Sequence, residues 1–386
     1  MRRRTFFLPA AGAALASAQS IDELARKAGW PYKLSPPAVS RREVVFPDVR
    51  GFRVVKADFH IHTIYSDGQV TPETRVIEAW RDGFDALAIT DHSEYIGLAL
   101  PEKKGRSYGD AEGLAKQLGL TLIRSAEVST VGAIPRPARN TDFVVAFLTD
   151  ELALHVEFSS AMKAAREQRA INIWAHPGPE WAPPARQFLE QGWLDGIELR
   201  NTQVAENRGN GQKEVRGFWF WPQVMDWANE HKLAVIASSD AHWPIDLMTR
   251  HRDMTLVLAQ SASSEHIREA LRARRTLVCF GDMLWGPAEW LEAAARGWLA
   301  FEATPPSNTG TRPRRMLKVR NRSSLPFSLR LGADGAKFPP GDLVIPPLAT
   351  KAIDYTAPEE AGALDVEIAN GYWTSNRNAG FRVPLR

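Results

Sequence analysis

His60 and His62 stand two residues apart directly after the apolar-rich run FRVVKADF, and Asp67 follows five residues later. Alternate residues of a β-strand point to the same face, so the two imidazoles are expected to project side by side. Paired neutral imidazoles with a carboxylate nearby suit a divalent metal ion. The alternative interpretation of this stretch is an edge strand that carries two solvated histidines.

Similar side chains close several later segments that have the composition of strands. AITDH ends in His92, IRSAE ends in Glu127, IWAH ends in His176, and SSDAH carries Asp240 and His242 with the same spacing of two. Active sites of parallel α/β barrels lie at the C-terminal ends of their strands. The pattern therefore predicts one cluster of imidazoles and carboxylates, which can hold more than one ion because a shared carboxylate offsets the repulsion between cations.

The elements that must position these side chains alternate between apolar strand-like runs and amphipathic helical runs. Seven strands are predicted, from FRVVKADFHIH to LAVIASSDAH, and TPETRVIEAWRDG is typical of a helix capped by Thr71 with Pro72 in its first position. This alternation indicates a parallel sheet with right-handed crossovers. Closure into a barrel buries seven strands without free edges, and an open doubly wound sheet is the alternative.

The first eighteen residues differ from the rest of the chain. Three arginines precede an apolar run from Phe6 to Ala16, and residues 16–18 read A-x-A, which predicts a signal peptide at 1–18. The RRTFF segment resembles a twin-arginine signal, so we expect export to the periplasm or beyond. The apolar run is too short for a membrane anchor, and no other apolar stretch is long enough to span a bilayer, so no membrane span is expected in the mature protein.

The remaining chain is predicted to have three parts: a lead-in at 19–50, the barrel at 51–302, and a linker with a small β-rich domain at 303–386. The net charge of +3 comes from 48 basic and 45 acidic residues, and the three arginines of 1–18 account for it (+3 − 3 = 0). A nucleic-acid-binding face is therefore not indicated. The lone Cys279 excludes an internal disulfide and a cysteine-based zinc site.

Taken in order, DFHIHTIYSDG, ITDHSE, SAEVS, AHPG and SSDAH resemble the successive motifs of the PHP (polymerase and histidinol phosphatase) superfamily, over residues 50 to 285. The resemblance implies an α/β fold, a distorted (β/α)7 barrel of the PHP type followed here by a small all-β C-terminal domain. It also implies a site for two or three divalent ions (Mn, Fe or Zn) and phosphoester hydrolysis. The signal, the WP after SSDAH and the β-rich part resemble the exported Sb-PDE-type phosphodiesterase branch.

The same resemblance assigns the ligands. It implies one ion held by His60, His62, Glu127 and Asp240 and a second, bridged by Glu127, that His176 also binds. It implies a third ion held by Asp67, His92 and His242. The family usually places a further histidine on strand four, where this chain has Asp142, an acceptable harder ligand. His155, further along, is the alternative for that position.

The expected reaction is in-line attack on a small-molecule phosphate ester, more readily a diester than a monoester, by a metal-bound hydroxide. Glu127, Asp240 and His242 are the expected catalytic groups, and a protonated His242 could assist the leaving oxygen. Candidates to bind substrate are Arg200 and Asn201, which follow GIEL, and Arg136 in AIPRPARN. A salt bridge at the barrel rim is the alternative role for Arg200.

Two other functions remain open at this stage. Amidohydrolase-type barrels that act on C–N or carboxyl ester bonds also open with an HxH motif, although they commonly use a bridging lysine and the third and fourth strands here contain none. An impaired barrel that serves as a binding protein is the other alternative, and the substitution at Asp142 is the feature that favours it. The sequence does not indicate an oligomeric state.

Overall fold

The computed structural model of the protein describes residues 40–94, 106–133, 141–202, 220–245, 252–305, 313–358 and 362–384. The predicted signal peptide, most of the predicted lead-in and the loop with Arg136 lie outside the described residues. Within the described ranges, no helix is both long and apolar enough to cross a bilayer.

Seven strands follow one another around a barrel in chain order. They are β1 (Arg53–Asp58), β2 (Ala86–Ile89), β3 (Thr121–Ser129), β4 (Asp142–Ala146), β5 (Ile171–Trp174), β6 (Gly196–Asn201) and β7 (Ala234–Ser238). A parallel bridge between Ile61 and Ala241 joins the segments that follow β1 and β7. This bridge closes the circle of strands, so the predicted barrel is confirmed and the open doubly wound sheet is not observed.

The direction of β4 differs from the prediction of an all-parallel barrel. Strand β4 runs antiparallel to both β3 and β5, with Ser129 opposite Asp142 and Phe143 opposite Trp174. The connection at 130–141 is short, and its described part holds only a 3-10 turn at Thr130–Gly132, whereas a parallel crossover usually needs a helix. The first residue of β4 therefore lies beside the last residue of β3.

Seven helices are described: α1 (Pro72–Arg81), α2 (Ser107–Leu118), α3 (Phe158–Glu167), α4 (Pro183–Glu190), α5 (Gln223–His231), α6 (Ser264–Arg272) and α7 (Ala288–Trp298). As predicted, Thr71 caps α1 by accepting a hydrogen bond from the Thr74 backbone N–H at 3.3 Å, and Pro72 occupies its first position. Helices α1 and α2 pack against β1–β3, and helices α3 to α5 pack against β4–β7. Each of these five helices therefore buries its apolar face on the outside of the barrel.

The barrel interior is filled by small and β-branched side chains from several strands. Val55, Ala86, Val144, Ile171 and Ile236 are all fully or almost fully buried in one cluster, to which α6 also contributes. Because these side chains fill the interior, functional groups are expected at a rim of the barrel.

Ten further strands continue the chain. They are β8 (Met254–Ala259), β9 (Thr276–Phe280), β10 (Met283–Trp285), β11 (Leu299–Ala303), β12 (Arg314–Asn321), β13 (Phe327–Gly332), β14 (Leu343–Ile345), β15 (Thr350–Thr356), β16 (Ala363–Thr374) and β17 (Arg377–Pro384). Strand β8 adds antiparallel to β1, and β10 pairs parallel with β16, so one sheet runs from the barrel into the C-terminal part. Strands β11, β12 and β15 form a second sheet.

The C-terminal part is rich in strands, as predicted, and it shares an apolar core with the barrel side of the chain. Trp298, Leu317 and Phe327 are fully buried in a cluster that also contains Val54 and Leu87 of the barrel strands. The boundary predicted between residues 302 and 303 falls inside strand β11.

Candidate metal centre

The segments after β1 and β7 are hydrogen-bonded to each other. The Asp240 N–H donates to the His60 carbonyl at 2.7 Å, and the His62 N–H donates to the Ala241 carbonyl at 3.1 Å. This pairing sets the HxH motif directly beside the DxH motif, although Asp240 follows His60 by 180 residues in the chain (240 − 60). The imidazoles of His60 and His62 are fully buried.

Donor atoms of these two segments form a nearly equilateral triangle. His60 Nε2 lies 3.1 Å from His62 Nε2 and 3.3 Å from Asp240 Oδ1, and His62 Nε2 lies 3.1 Å from the same oxygen. Donors bound to one tetrahedral ion at ~2.0–2.2 Å are themselves about 3.3 Å apart. The spacing of this triangle therefore fits three ligands of a single divalent ion.

Glu127, near the end of β3, supplies a second triangle on the same histidine edge. Its Oε2 lies 3.2 Å from His60 Nε2, 3.1 Å from His62 Nε2 and 3.3 Å from His92 Nε2. Its other oxygen, Oε1, lies 3.3 Å from His176 Nε2. The two oxygens thus face different histidines, which is the arrangement required of a carboxylate that bridges two ions.

A second group lies on the more exposed side of His62. Asp67 Oδ2 is 3.0 Å from His242 Nε2 and 3.8 Å from His92 Nε2, while Asp67 Oδ1 is 3.3 Å from His62 Nδ1. Ligand atoms of these four residues lie within 4.8 Å of one another. The structure thus brings together Asp67, His92 and His242, as the sequence predicts.

Asp142 reaches the cluster because β4 is antiparallel. Its Oδ2 lies 3.6 Å from His176 Nε2, and its Oδ1 is buried without a hydrogen-bond partner among the described residues. Burial raises the pKa of Asp142, and the nearby Glu127 carboxylate raises it further. The alternative residue, His155, places its Nδ1 2.7 Å from the Ser93 carbonyl. The geometry therefore favours Asp142 over His155 for the strand-four position.

Charge compensation dominates the electrostatics of the cluster. Burial alone would lower the pKa of each histidine, but the surrounding carboxylates raise the pKa of His60 well above its usual value, that of His92 to about 10 and that of His176 to about 9. Burial would raise the pKa of Glu127 and Asp240, yet the histidines lower both. Without metal, protons on the imidazoles balance the carboxylates, and a divalent cation can take their place.

The donor set fits divalent metal ions, since it consists of imidazole nitrogens and carboxylate oxygens with ligand spacing and contains an unpartnered buried oxygen on Asp142. Three groups of potential ligands are present in the described part of the chain. They are His62, Asp67, His92 and His242; His60, Glu127 and His176; and His60, His62 and Asp240. His60 and His62 each belong to two groups, so the groups form one connected centre.

A buried carboxylate that the sequence analysis overlooked lies beneath the cluster. Glu198 of β6 is 1% exposed, and its Oε1 lies 3.4 Å from His60 Nδ1. Burial would raise its pKa, but the positive charge of the adjacent His60 lowers that pKa. A glutamate inside the apolar strand segment GIEL was the available signal, because a charged residue is rarely buried without a partner.

Of the three predicted substrate-binding residues, Arg200 and Asn201 do not lie on the exposed side of the cluster. Arg200 donates from Nε to Asp253 Oδ2 at 2.9 Å, which is the alternative salt bridge. Asn201 is fully buried and donates from Nδ2 to Glu198 and Asp240, each at 3.0 Å. Arg136 lies outside the described residues. Trp243, next to His242, is 43% exposed at the rim.

Comparison with known proteins supports these observations. The PHP domain matches residues 58–275. A crystallised two-domain protein of Bacteroides vulgatus, containing a predicted PHP-like metal-dependent phosphoesterase, superposes with a TM-score of 0.76 at 27% identity, over 90% of this chain and 99% of that one.

Two curated relatives match parts of the chain. A 5'-3' exoribonuclease of Haemophilus influenzae is 30% identical over 118 residues, which are 31% of this chain and 38% of the relative. An error-prone DNA polymerase of Nocardia farcinica is 36% identical over 242 residues, which are 58% of this chain and 18% of the polymerase. The matched region thus spans less than half the length of each of these two relatives.

Proposed function

This chain belongs to the PHP domain family, and from that premise we propose that it is a phosphoesterase that uses two or three divalent ions to hydrolyse a P–O ester bond. The observation that carries the proposal is the pair of donor triangles that share the His60–His62 edge, with Asp240 at one apex and Glu127 at the other. Bound ions would neutralise the ester oxygens and lower the pKa of a water molecule.

The chain's own residues would divide the work between holding ions and moving a proton. Glu127 and Asp240 remain carboxylates at neutral pH, so they supply the negative charge that holds cations at the buried end. Asp67 and His242 lie at the more exposed end, where an ester can reach them. We assign His242 the additional role of proton donor to the leaving oxygen when its Nε2 is not engaged as a ligand.

We favour a diester over a monoester as substrate, and a small molecule over nucleic acid. One relative is named an exoribonuclease, and such an enzyme cleaves phosphodiester bonds. The chain without residues 1–18 has a net charge near zero, which supplies no electrostatic attraction for a polyanion. The resemblance to the Sb-PDE-type branch and the twin-arginine-like signal support the further proposal that the protein is exported.

The activity is tested with purified protein loaded with Mn, Fe, Co or Zn. We expect hydrolysis of bis-4-nitrophenyl phosphate to exceed that of 4-nitrophenyl phosphate, and a chelator to abolish both. 4-Nitrophenyl acetate and a 4-nitroanilide, assayed in parallel, test the amidohydrolase alternative. If neither phosphate ester is hydrolysed with any of the four metals, the proposal is wrong.

Export is tested separately by fractionating cells that express the full chain. We expect the protein outside the cytoplasm, and we expect replacement of Arg3 and Arg4 by lysine to retain it inside, since a twin-arginine signal depends on both residues. Equal distribution of the two forms between the fractions would exclude this route.

A further inference from the structure

We propose that Glu198 is a positioning residue that fixes three of the candidate ligands, His60, His176 and Asp240, in the geometry a metal ion requires. The proposal rests on the metal-binding part of the proposed function and not on the choice of substrate. Both Glu198 oxygens are engaged by neighbouring groups, and the side chain is 1% exposed, so it acts through these residues rather than on substrate.

The first oxygen faces the Nδ1 atom of His60. Glu198 Oε1 accepts a hydrogen bond from Ser238 Oγ at 2.6 Å and lies 3.4 Å from His60 Nδ1. A hydrogen on Nδ1 is attracted toward this carboxylate, which leaves the lone pair of Nε2 pointing at the donor triangle. Carboxylates in this position hold a histidine ring in orientation and make it a stronger ligand.

The second oxygen holds the backbone of His176. Glu198 Oε2 accepts a hydrogen bond from the His176 N–H at 2.6 Å. His176 has a φ of 28°, a left-handed conformation that is disfavoured for residues with a side chain. Such a conformation persists only where the surroundings impose it, and here a buried carboxylate does so.

Asp240 is connected to the same oxygen through Asn201. One Asn201 Nδ2 group donates to both Glu198 Oε2 and Asp240 Oδ2 at 3.0 Å, which leaves Asp240 Oδ1 facing the two histidines. Asp240 also has a left-handed backbone, with a φ of 49°. The two strained ligands therefore share one support.

An irregularity of β6 makes this arrangement possible. Residues three apart on a regular strand face opposite sides, yet Glu198 and Asn201 both reach the cluster. The register with β7 shifts between Glu198 and Arg200, so the extra residue turns Asn201 back toward the cluster and leaves Arg200 with Asp253.

The experiment compares E198Q with the wild-type protein. An amide keeps the size of the side chain but replaces one of the two acceptor oxygens with an NH2 donor. In one orientation this NH2 group faces the N–H groups of His176 and Asn201, and in the other it faces the Ser238 hydroxyl. We expect Zn²⁺ affinity, measured by competition with a chromogenic chelator, to fall by about 10- to 100-fold. We also expect an altered visible spectrum at saturating Co²⁺, because the ligand geometry changes.

E151Q is the matched control. Glu151 is 6% exposed and pairs with Arg124, away from the candidate ligands. Its variant should keep wild-type Zn²⁺ affinity and Co²⁺ spectrum. The proposal is overturned if folded E198Q, checked by circular dichroism, matches the wild type in both readouts, or if E151Q loses affinity to the same extent. Metal binding without hydrolysis in the wild type would refute the phosphoesterase proposal alone, and absence of metal binding would refute both.

Discussion

Asp142 Oδ2 lies 3.6 Å from His176 Nε2, a contact that exists because β4 enters the barrel in the direction opposite to its neighbours. If Asp142 is a ligand, D142A should lower the number of tightly bound ions by one and D142H should restore it, since imidazole suits the same metals. Metal analysis of the dialysed protein measures both outcomes. H155A is the control and should keep its metal, and loss from H155A with retention in D142A would reverse the assignment.

His60 is predicted to be indispensable because it belongs to two of the three ligand groups. H60A should reduce phosphodiester hydrolysis by at least about 100-fold, since even loss of a residue that only supports a ligand costs ~10- to 100-fold. Initial rates and metal content are measured together. H266A is the matched control, because His266 lies in α6 and contacts Ser261. A variant H60A with normal rate and metal content would exclude the metal-centred mechanism.

The sequence was sufficient to predict the barrel, the strand-rich C-terminal part and the convergence of His60, His62, Glu127 and Asp240 at one rim. Spacing of two and position at strand ends are local properties, and a parallel barrel converts them into proximity. The antiparallel β4 was not predicted, because an apolar strand has the same composition in either direction. Asp142 was identified by motif alone, and the reason it reaches His176 is this reversal.

Glu198 and Asn201 show a second limit of sequence reasoning. Alternation along GIELRN places Asn201 and Glu198 on opposite faces, but the shifted register with β7 places them on the same face. Such a shift depends on pairing with a distant strand. The role of Arg200 was left open for the same reason, since its partner Asp253 lies 53 residues away in the chain.

The metal-free protein should lose stability as pH rises above neutrality. His92 and His176 have pKa values of about 10 and about 9 in the fold, against ~6.5 in an unfolded chain. The two protonated histidines therefore stabilise the fold fully below pH ~6.5, and this stabilisation is lost as the pH rises through 9 to 10. Between these limits the free energy of unfolding falls by up to ~1.4 kcal/mol per pH unit for each histidine that is protonated only in the folded state. Urea unfolding of chelator-treated protein at pH 6, 8 and 9.5 measures this trend.

Two comparisons sharpen this prediction. The H92A/H176A variant should show a shallower dependence on pH, because it lacks both raised groups. Protein with bound Zn²⁺ should show the opposite trend, since metal binds the neutral imidazole and competes with protons. If the free energy of unfolding of the metal-free wild type rises with pH, His92 and His176 are not protonated in the fold as predicted.

Arg75 is predicted to hold the two ligand-bearing segments together. This fully buried side chain donates to the carbonyls of His62 at 2.8 Å and Ala241 at 2.7 Å, and it pairs with Glu78 at 2.8 Å. R75A should lower the free energy of unfolding by about 3–5 kcal/mol, because it leaves a buried charge unpaired. Chemical denaturation measures the change.

The exposed pair of Arg296 and Glu292 on α7 provides the control for Arg75. E292A removes this pair and leaves the contacts of Arg296 with the Arg382 carbonyl and the Phe381 ring in place, so it should cost at most ~1 kcal/mol, as is usual for surface pairs. If both variants lose the same free energy of unfolding, the burial of Arg75 and its two carbonyl contacts do not stabilise the fold more than an exposed ion pair does.

Trp243 is predicted to bind the aromatic group of an aryl ester. Its ring is 43% exposed and lies 5.9 Å from that of His242, while Arg75 fixes its carbonyl at 2.9 Å. W243A should raise KM for bis-4-nitrophenyl phosphate by about 2- to 10-fold, the effect of one aromatic contact. W243F should recover most of that loss, and metal content should be unchanged in both variants. A diester without aromatic groups distinguishes the loss of stacking from damage to the metal centre. Its KM should be the same in W243A and the wild type. An equal rise in KM for both esters would show that Trp243 supports His242 instead of binding substrate.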